Sequence, residues 1–202
     1  MSVTLVLTEH SRALLPATLE RYEAARGRLE HVGGAPVTSV EYEQLVDLQG
    51  ADAVVLSGSY APWADHAPDA IERLGEIVRA YDGPVLGICA GMQLLARFAH
   101  GTIRHSRSPQ NGFSPVDVIE RDGLLRNVPP RIHVFHHHGD EIEELPSGFR
   151  VLARSAACAI EAIEAPSRRW WGTQFHPEEF DDAHPEGEVI LRNFFELARD
   201  AP

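Results

Sequence analysis

Cys89 lies in the run Pro84-Val85-Leu86-Gly87-Ile88-Cys89-Ala90-Gly91-Met92-Gln93, where an aliphatic stretch meets a Gly-x-Cys-x-Gly turn and then an apolar helix. This is the sequence form of a nucleophile elbow, with sulfur in place of the more familiar serine oxygen. Small residues two before and two after the nucleophile let a strand turn sharply into a helix without a Cβ clash. The turn sets the side chain at a helix N-terminus, where unpaired amides and the helix dipole favour a thiolate. A free cysteine is more often a buried packing residue. The two glycines and the strand-to-helix switch select the nucleophile over that reading.

A cysteine nucleophile needs a base to take its proton and return it to a leaving amine, and the base needs an orienting acceptor. The run Gln174-Phe175-His176-Pro177-Glu178 offers both. His176 supplies an imidazole that titrates near neutrality. Glu178 can reach the other ring nitrogen across the rigid Pro177. Eleven histidines occur in the chain, so a histidine beside a glutamate says little alone. Its place at the end of a second core strand, paired with the elbow, gives it meaning.

The elements that must position these groups alternate between strand and helix. Val3–Thr8, Pro36–Val40, Ala53–Leu56, the elbow strand and Trp170–Phe175 read as strands, and Ala53–Leu56 is apolar throughout, as a parallel strand covered on both faces should be. Helical spacing predicts helices over Leu14–Leu29 (Leu15, Leu19 and Tyr22 on one face), Ala70–Tyr81, Ala90–His100 and Gly187–Arg199. After Gly101 short extended segments (Pro115–Ile119, Ile132–Phe135, Phe149–Arg154) alternate with turns and suggest antiparallel additions. The pattern predicts an α/β, flavodoxin-like three-layer domain over residues 1–202: a mainly parallel sheet, helices on both faces, and a small antiparallel addition. Ligands in such sheets bind beyond the carboxyl ends of the strands. Cys89 and His176 both fall there.

Composition narrows the chemistry. All 18 basic residues are arginine, which excludes a lysine Schiff base and a Gly-x-x-x-x-Gly-Lys phosphate loop. A net charge of −12 without a basic stripe argues against a nucleic-acid partner. No apolar run approaches membrane-spanning length, no signal peptide is evident, and two cysteines form no disulfide framework, so a cytoplasmic protein with no membrane association is expected.

The elbow followed by Phe-His-Pro-Glu, in this order and at this separation, resembles the class I (triad) glutamine amidotransferases, over nearly the whole chain. Leu56-Ser57-Gly58-Ser59-Tyr60 falls where that family has its Ser-Gly-Gly-Pro-like oxyanion strand. His137-His138-Gly139-Asp140-Glu141-Ile142, followed by Leu145-Pro146-Ser147-Gly148-Phe149, is most similar to the glutaminase portion of GMP synthases. The resemblance implies Cys89 as nucleophile, His176 as acid/base and Glu178 as orienting carboxylate. It implies an oxyanion hole from the amides of Ala90 and Ser59, and a glutamine site formed by Gly58, Gln93, His137, His138 and Gly139. Ser59 and Tyr60 stand where the family has Gly and Pro. A non-Gly residue makes an unusual backbone conformation costlier, which leads to the expectation that docking of a partner or substrate completes the hole. His137 stands where the family has Ser.

His133, His136, His137 and His138 invite a metal reading, with His136 and His138 sharing a strand face and His133 approaching from a neighbour. No cysteine or carboxylate falls at a familiar ligand spacing, so no metal and no other cofactor is expected. Cys158 reads as packing, and of the acidic cluster Glu178-Glu179-Asp181-Asp182 only Glu178 is singled out. The resemblance implies L-glutamine as substrate. A chain ending at Pro202 leaves no room for a synthetase domain, so the expected partner is a separate ATP-dependent synthetase, GMP synthase-like or a biosynthetic relative, that accepts ammonia. A γ-glutamyl hydrolase or peptidase of the same fold, and a non-catalytic binding paralogue, are the alternatives.

Overall fold

A computed structural model describes residues 1–200. The strands are β1 (Val3–Leu7), β2 (Val37–Glu41), β3 (Ala53–Leu56), β4 (Val85–Ile88), β5 (Thr102–Val118), β6 (Arg131–Glu144), β7 (Arg150–Arg154), β8 (Ala162–Ala165) and β9 (Trp170–Thr173). The helices are α1 (Pro16–Gly33), α2 (Pro68–Ala80), α3 (Ala90–Phe98) and α4 (Glu186–Arg199). All nine strands form one sheet in the order β2-β1-β3-β4-β9-β8-β7-β5-β6. The first five are mutually parallel, and β8, β7, β5 and β6 continue the sheet antiparallel.

Three layers follow from which side chains each strand presents. Leu5 of β1, Val55 of β3 and Leu86 of β4 face one way, onto Tyr22 and Leu29 of α1 and Ile190, Phe194 and Phe195 of α4. Their neighbours Val6, Val54, Leu56 and Val85 face the other way, onto Leu74 and Val78 of α2 and Leu94, Leu95 and Phe98 of α3. Both faces are covered, so β3 and β4 are wholly apolar and wholly buried, as parallel strands require. No helix among the described residues is long and apolar enough to cross a membrane.

Two expectations need correction. The antiparallel part is larger than short extended segments suggest. Pro115–Ile119 and Ile132–Phe135 fall mostly within the 17-residue β5 and the 14-residue β6, which pair as a long hairpin. Polar residues dominate both strands and interrupt any apolar run, and the register slips between His105 and Gln110, which disguises them as turns. In α1 the face read from Leu15 and Leu19 is not the buried one. Leu15 is 62% and Leu19 40% exposed, while Tyr22, Leu29 and Gly33 face the sheet and α4. Pro16 starts the helix at its first position, where a missing N–H costs nothing.

Candidate active site

The parallel pairing of β4 with β9 brings Cys89 and His176 to one edge. Their register sets Ile88 beside Thr173, and the Cys89 N–H donates to the Thr173 carbonyl at 2.7 Å. Cys89 itself has φ 52° and ψ −107°, a backbone conformation costly to any residue with a side chain. Its surroundings enforce it. A Cβ on Gly87 would lie 2.5 Å from the Gly91 carbonyl carbon, and one on Gly91 would lie 2.3 Å from the Leu56 carbonyl oxygen. The two glycines therefore let the elbow fold back onto itself and onto β3. The Gly91 N–H then donates to the Ser57 carbonyl at 3.0 Å, tying the elbow to the end of β3.

His176 is fixed from three sides. Phe175 before it is fully buried, the His176 N–H donates to the Phe135 carbonyl of β6 at 2.8 Å, and a short 3-10 turn over Pro177–Glu179 returns the chain toward the ring. That turn places the Glu178 Oε1 2.8 Å from His176 Nδ1. The carboxylate accepts a hydrogen bond from Nδ1–H, which leaves Nε2 as the free nitrogen. Nε2 is buried and has no hydrogen-bond partner within the described residues. Burial disfavours the imidazolium, but the Glu178 carboxylate and the Cys89 sulfur outweigh it, and the His176 pKa is raised well above its ordinary 6.5. Glu179, by contrast, pairs with Arg28 at 2.7 Å.

Cys89 opens onto a cleft of about 500 Å³. Ala90, Ser59, Gln93, His137, His138 and Gly139, all expected site residues, line it with Cys89. The amides of Ala90 and Ser59 donate to no group of the chain among the described residues. Gly58 has a different position: it packs against the imidazole, and a Cβ there would sit 2.9 Å from His176 Cε1. Gln93 lines the cleft, yet its amide is fully engaged. It accepts from Trp63 Nε1 at 3.0 Å and donates to the Asp140 carbonyl at 2.8 Å and to Gln174 Oε1 at 3.1 Å. Gln174 in turn approaches the Cys89 sulfur through Nε2 at 3.6 Å.

The oxyanion turn carries no left-handed backbone in this structure. Neither Ser59 nor Tyr60 has a positive φ. Their turn is instead held by a residue that sequence reasoning passed over, Glu9, which accepts the Tyr60 N–H at 2.6 Å and the Ala61 N–H at 3.1 Å. One signal could have found it: a carboxylate just after the carboxyl end of β1, where sheets of this type bind ligands.

The histidine run splits by strand parity. His136 and His138 are buried with rings 5.6 Å apart, and His136 Nδ1 is 3.8 Å from Glu161. His133 lies on the opposite, exposed face and does not approach them. Burial, with help from neighbouring imidazoles, pushes His136 down to about 3, and burial raises Glu161 to about 7. No cluster of three or more metal-type ligands occurs among the described residues. Cys158 is buried, donates to the Ile160 carbonyl, and has its thiol pKa raised, chiefly by burial.

A sheet of this order, with a cysteine elbow facing a histidine–glutamate pair, defines an α/β fold with a cysteine, a histidine and a glutamate gathered beyond the carboxyl ends of its parallel strands. Comparison with known proteins makes the class specific. The profile for glutamine amidotransferase class-I matches residues 23–198. A subunit of the glutamine-hydrolyzing GMP synthase of Sulfolobus acidocaldarius is 33% identical over 175 residues, 85% of this chain and 87% of that protein. The subunit of the same name from Pyrococcus abyssi is 38% identical over 126 residues, 62% of this chain and 66% of that protein. A crystal structure of a Thermoplasma acidophilum protein, provisionally described as a GMP synthase subunit, superposes with a TM-score of 0.83 at 27% identity, covering 98% of this chain and 94% of that one. This chain belongs to the class-I glutamine amidotransferase family.

Proposed function

We propose that the chain is a single glutaminase domain that hydrolyses L-glutamine and passes ammonia to a separate synthetase. The observation that carries this reading is the His176–Glu178 pair at 2.8 Å, with its free Nε2 beside the Cys89 elbow. The Cys89 sulfur attacks the side-chain amide carbon of glutamine, and its proton resides on His176 Nε2. The C–N bond breaks as His176 gives that proton to the departing nitrogen, so ammonia leaves and a γ-glutamyl thioester remains. Water, deprotonated by His176, attacks the thioester; the C–S bond breaks, glutamate leaves, and the thiol is restored. Glu178 holds the imidazole in the required tautomer and stabilises its charged form.

Both tetrahedral intermediates carry an oxyanion. The Ala90 amide at the start of α3 and the Ser59 amide on the neighbouring turn are the free donors assigned to it. The cleft walls formed by His137, His138 and Gly139 hold the glutamine backbone. Gln93 acts indirectly, because its amide is occupied in bracing Trp63, Asp140 and Gln174. Relatives named as GMP synthase subunits support an ATP-dependent, GMP synthase-like partner as the ammonia acceptor.

The test is direct. Purified protein incubated with glutamine and quenched in acid should carry one glutamyl mass on the peptide containing Cys89, and Cys89→Ala should abolish both adduct and ammonia release. Normal turnover by a folded Cys89→Ala protein would sink the assignment. Cys158→Ala should leave turnover nearly unchanged.

A further inference from the structure

The strands β1, β3 and β4 lie side by side in that order, so the end of β3 sits between Thr8–Glu9 on one side and Cys89 on the other. Three hydroxyls converge on the Gly58 carbonyl just past β3: Ser57 Oγ at 2.8 Å, Tyr22 Oη at 3.0 Å and Thr8 Oγ1 at 3.1 Å, the one Thr8 proton being shared with the Ser57 carbonyl at 2.8 Å. Thr8 comes from the β1 side and Tyr22 from α1. The peptide bonds among the described residues are all trans, and in a trans peptide the N–H points opposite to the C=O. A Gly58 carbonyl anchored toward β1 therefore directs the Ser59 N–H toward β4, the side of Cys89.

Glu9 secures the other half of the turn. It is fully buried, and five donors converge on it. Oε1 accepts from His10 N–H at 3.0 Å, Ser59 Oγ at 3.0 Å and Ala61 N–H at 3.1 Å. Oε2 accepts from Tyr60 N–H at 2.6 Å and Tyr22 Oη at 3.3 Å. The single Tyr22 O–H is shared between the Gly58 carbonyl at 3.0 Å and Glu9 Oε2 at 3.3 Å, and so bridges the two halves. Burial, with the nearby Glu9, raises the Tyr22 pKa and keeps its phenol protonated as a donor.

We propose that Thr8, Glu9 and Tyr22 are positioning residues that set the Gly58–Ser59 peptide with its N–H toward Cys89 before any partner or substrate arrives. The proposal rests on the glutaminase reading and adds that the oxyanion donor is preformed. Reversing that peptide would strip a buried carbonyl of its hydroxyl donors, and an unpaired buried carbonyl is expensive. None of the three residues touches the reacting atoms. Their effect on rate passes through one amide.

Thr8→Val, Tyr22→Phe and Glu9→Gln each remove part of this network with little change of shape, and Thr8→Ser restores the Thr8 hydroxyl. Because loss of one oxyanion donor lowers kcat about 10²–10³-fold, loosening it should lower kcat by about tenfold or more in Thr8→Val and Tyr22→Phe. KM for glutamine should move less than about threefold, since the ground state does not use the donor. Thr8→Ser should recover most of kcat. Hydrogen exchange of the segment 57–61 should quicken in Thr8→Val and Glu9→Gln. Folded Thr8→Val and Tyr22→Phe proteins with parental kcat would overturn the clamp while leaving the glutaminase reading intact, as would a Thr8→Ser protein no better than Thr8→Val. No hydrolysis by the parent chain, with or without a synthetase, would overturn the glutaminase reading and the clamp with it.

Discussion

Replacing Glu178 by Gln keeps the shape of the side chain and removes its charge, so it isolates what the carboxylate does for His176. The two groups are 2.8 Å apart, with side chains 11% and 9% exposed, so solvent screens them little. An opposite charge this close typically moves a histidine pKa by about 1–3 units, equivalent to roughly 1.4–4 kcal/mol of support for the imidazolium. Where the slow step carries a charged imidazole, that is about 10 to 10³ in kcat. The direct readout is an NMR titration of the His176 ring in a Cys89→Ala background, which takes the thiol out of the coupling. There the Glu178→Gln change should lower the His176 pKa by one unit or more. The linkage has a definite sign. A raised imidazole pKa contributes stability that is fully present below pH 6.5 and is lost as pH rises through the folded value. The stability cost of Glu178→Gln should therefore be larger at pH 6 than in alkaline solution. Glu179→Gln is the control, because Glu179 is held by Arg28. An unmoved His176 titration in Glu178→Gln, or a larger shift in Glu179→Gln, would refute the placement of the carboxylate.

Three further outcomes are expected. Gly91→Ala should lose about 3 kcal/mol or more of stability, because its Cβ would meet the Leu56 carbonyl at 2.3 Å, whereas Gly27→Ala, in an open position of α1, should gain about 0.5–1 kcal/mol; chemical denaturation of both checks the contrast. Glu161, raised from 4.5 to about 7 by burial, stays protonated in the folded state after the unfolded chain has ionised, so stability falls by roughly 3 kcal/mol at most as pH rises from about 4.5 to about 7 and levels off above it. Glu161→Gln should abolish this decline between pH 5 and 8.5 in urea titrations, and an identical pH dependence in both proteins would show that Glu161 ionises freely. A preformed oxyanion turn further implies that the chain alone hydrolyses glutamine and that an added synthetase with ATP and acceptor accelerates ammonia release by less than about 10²-fold, since no donor remains to be supplied. A larger acceleration would mean that the turn rearranges on docking.

What the sequence disclosed divides along a physical line. Local backbone requirements were legible: Gly87 and Gly91 announce the elbow because no other residue fits against the Leu56 and Gly91 carbonyls, and their effect spans only a few residues. The all-apolar runs of β3 and β4 likewise declare a doubly covered sheet. The long β5–β6 hairpin was not legible as such, because its strands carry mostly polar side chains and are specified by pairing with each other across the register slip. The Glu9 network was hidden for a related reason. Its members come from the end of β1, from α1 and from the turn after β3, and nothing in their local sequence shows that they converge. A lone carboxylate after a strand reads as surface charge until the fold surrounds it with five donors. The same holds for Gln93, which the family resemblance assigned to the glutamine site while its three hydrogen bonds engage Trp63, Asp140 and Gln174. In this chain the residues proposed to make and break bonds are marked by short motifs. The residues that aim them are marked only by the topology, and the Ser59 amide is the point at which the two sets meet.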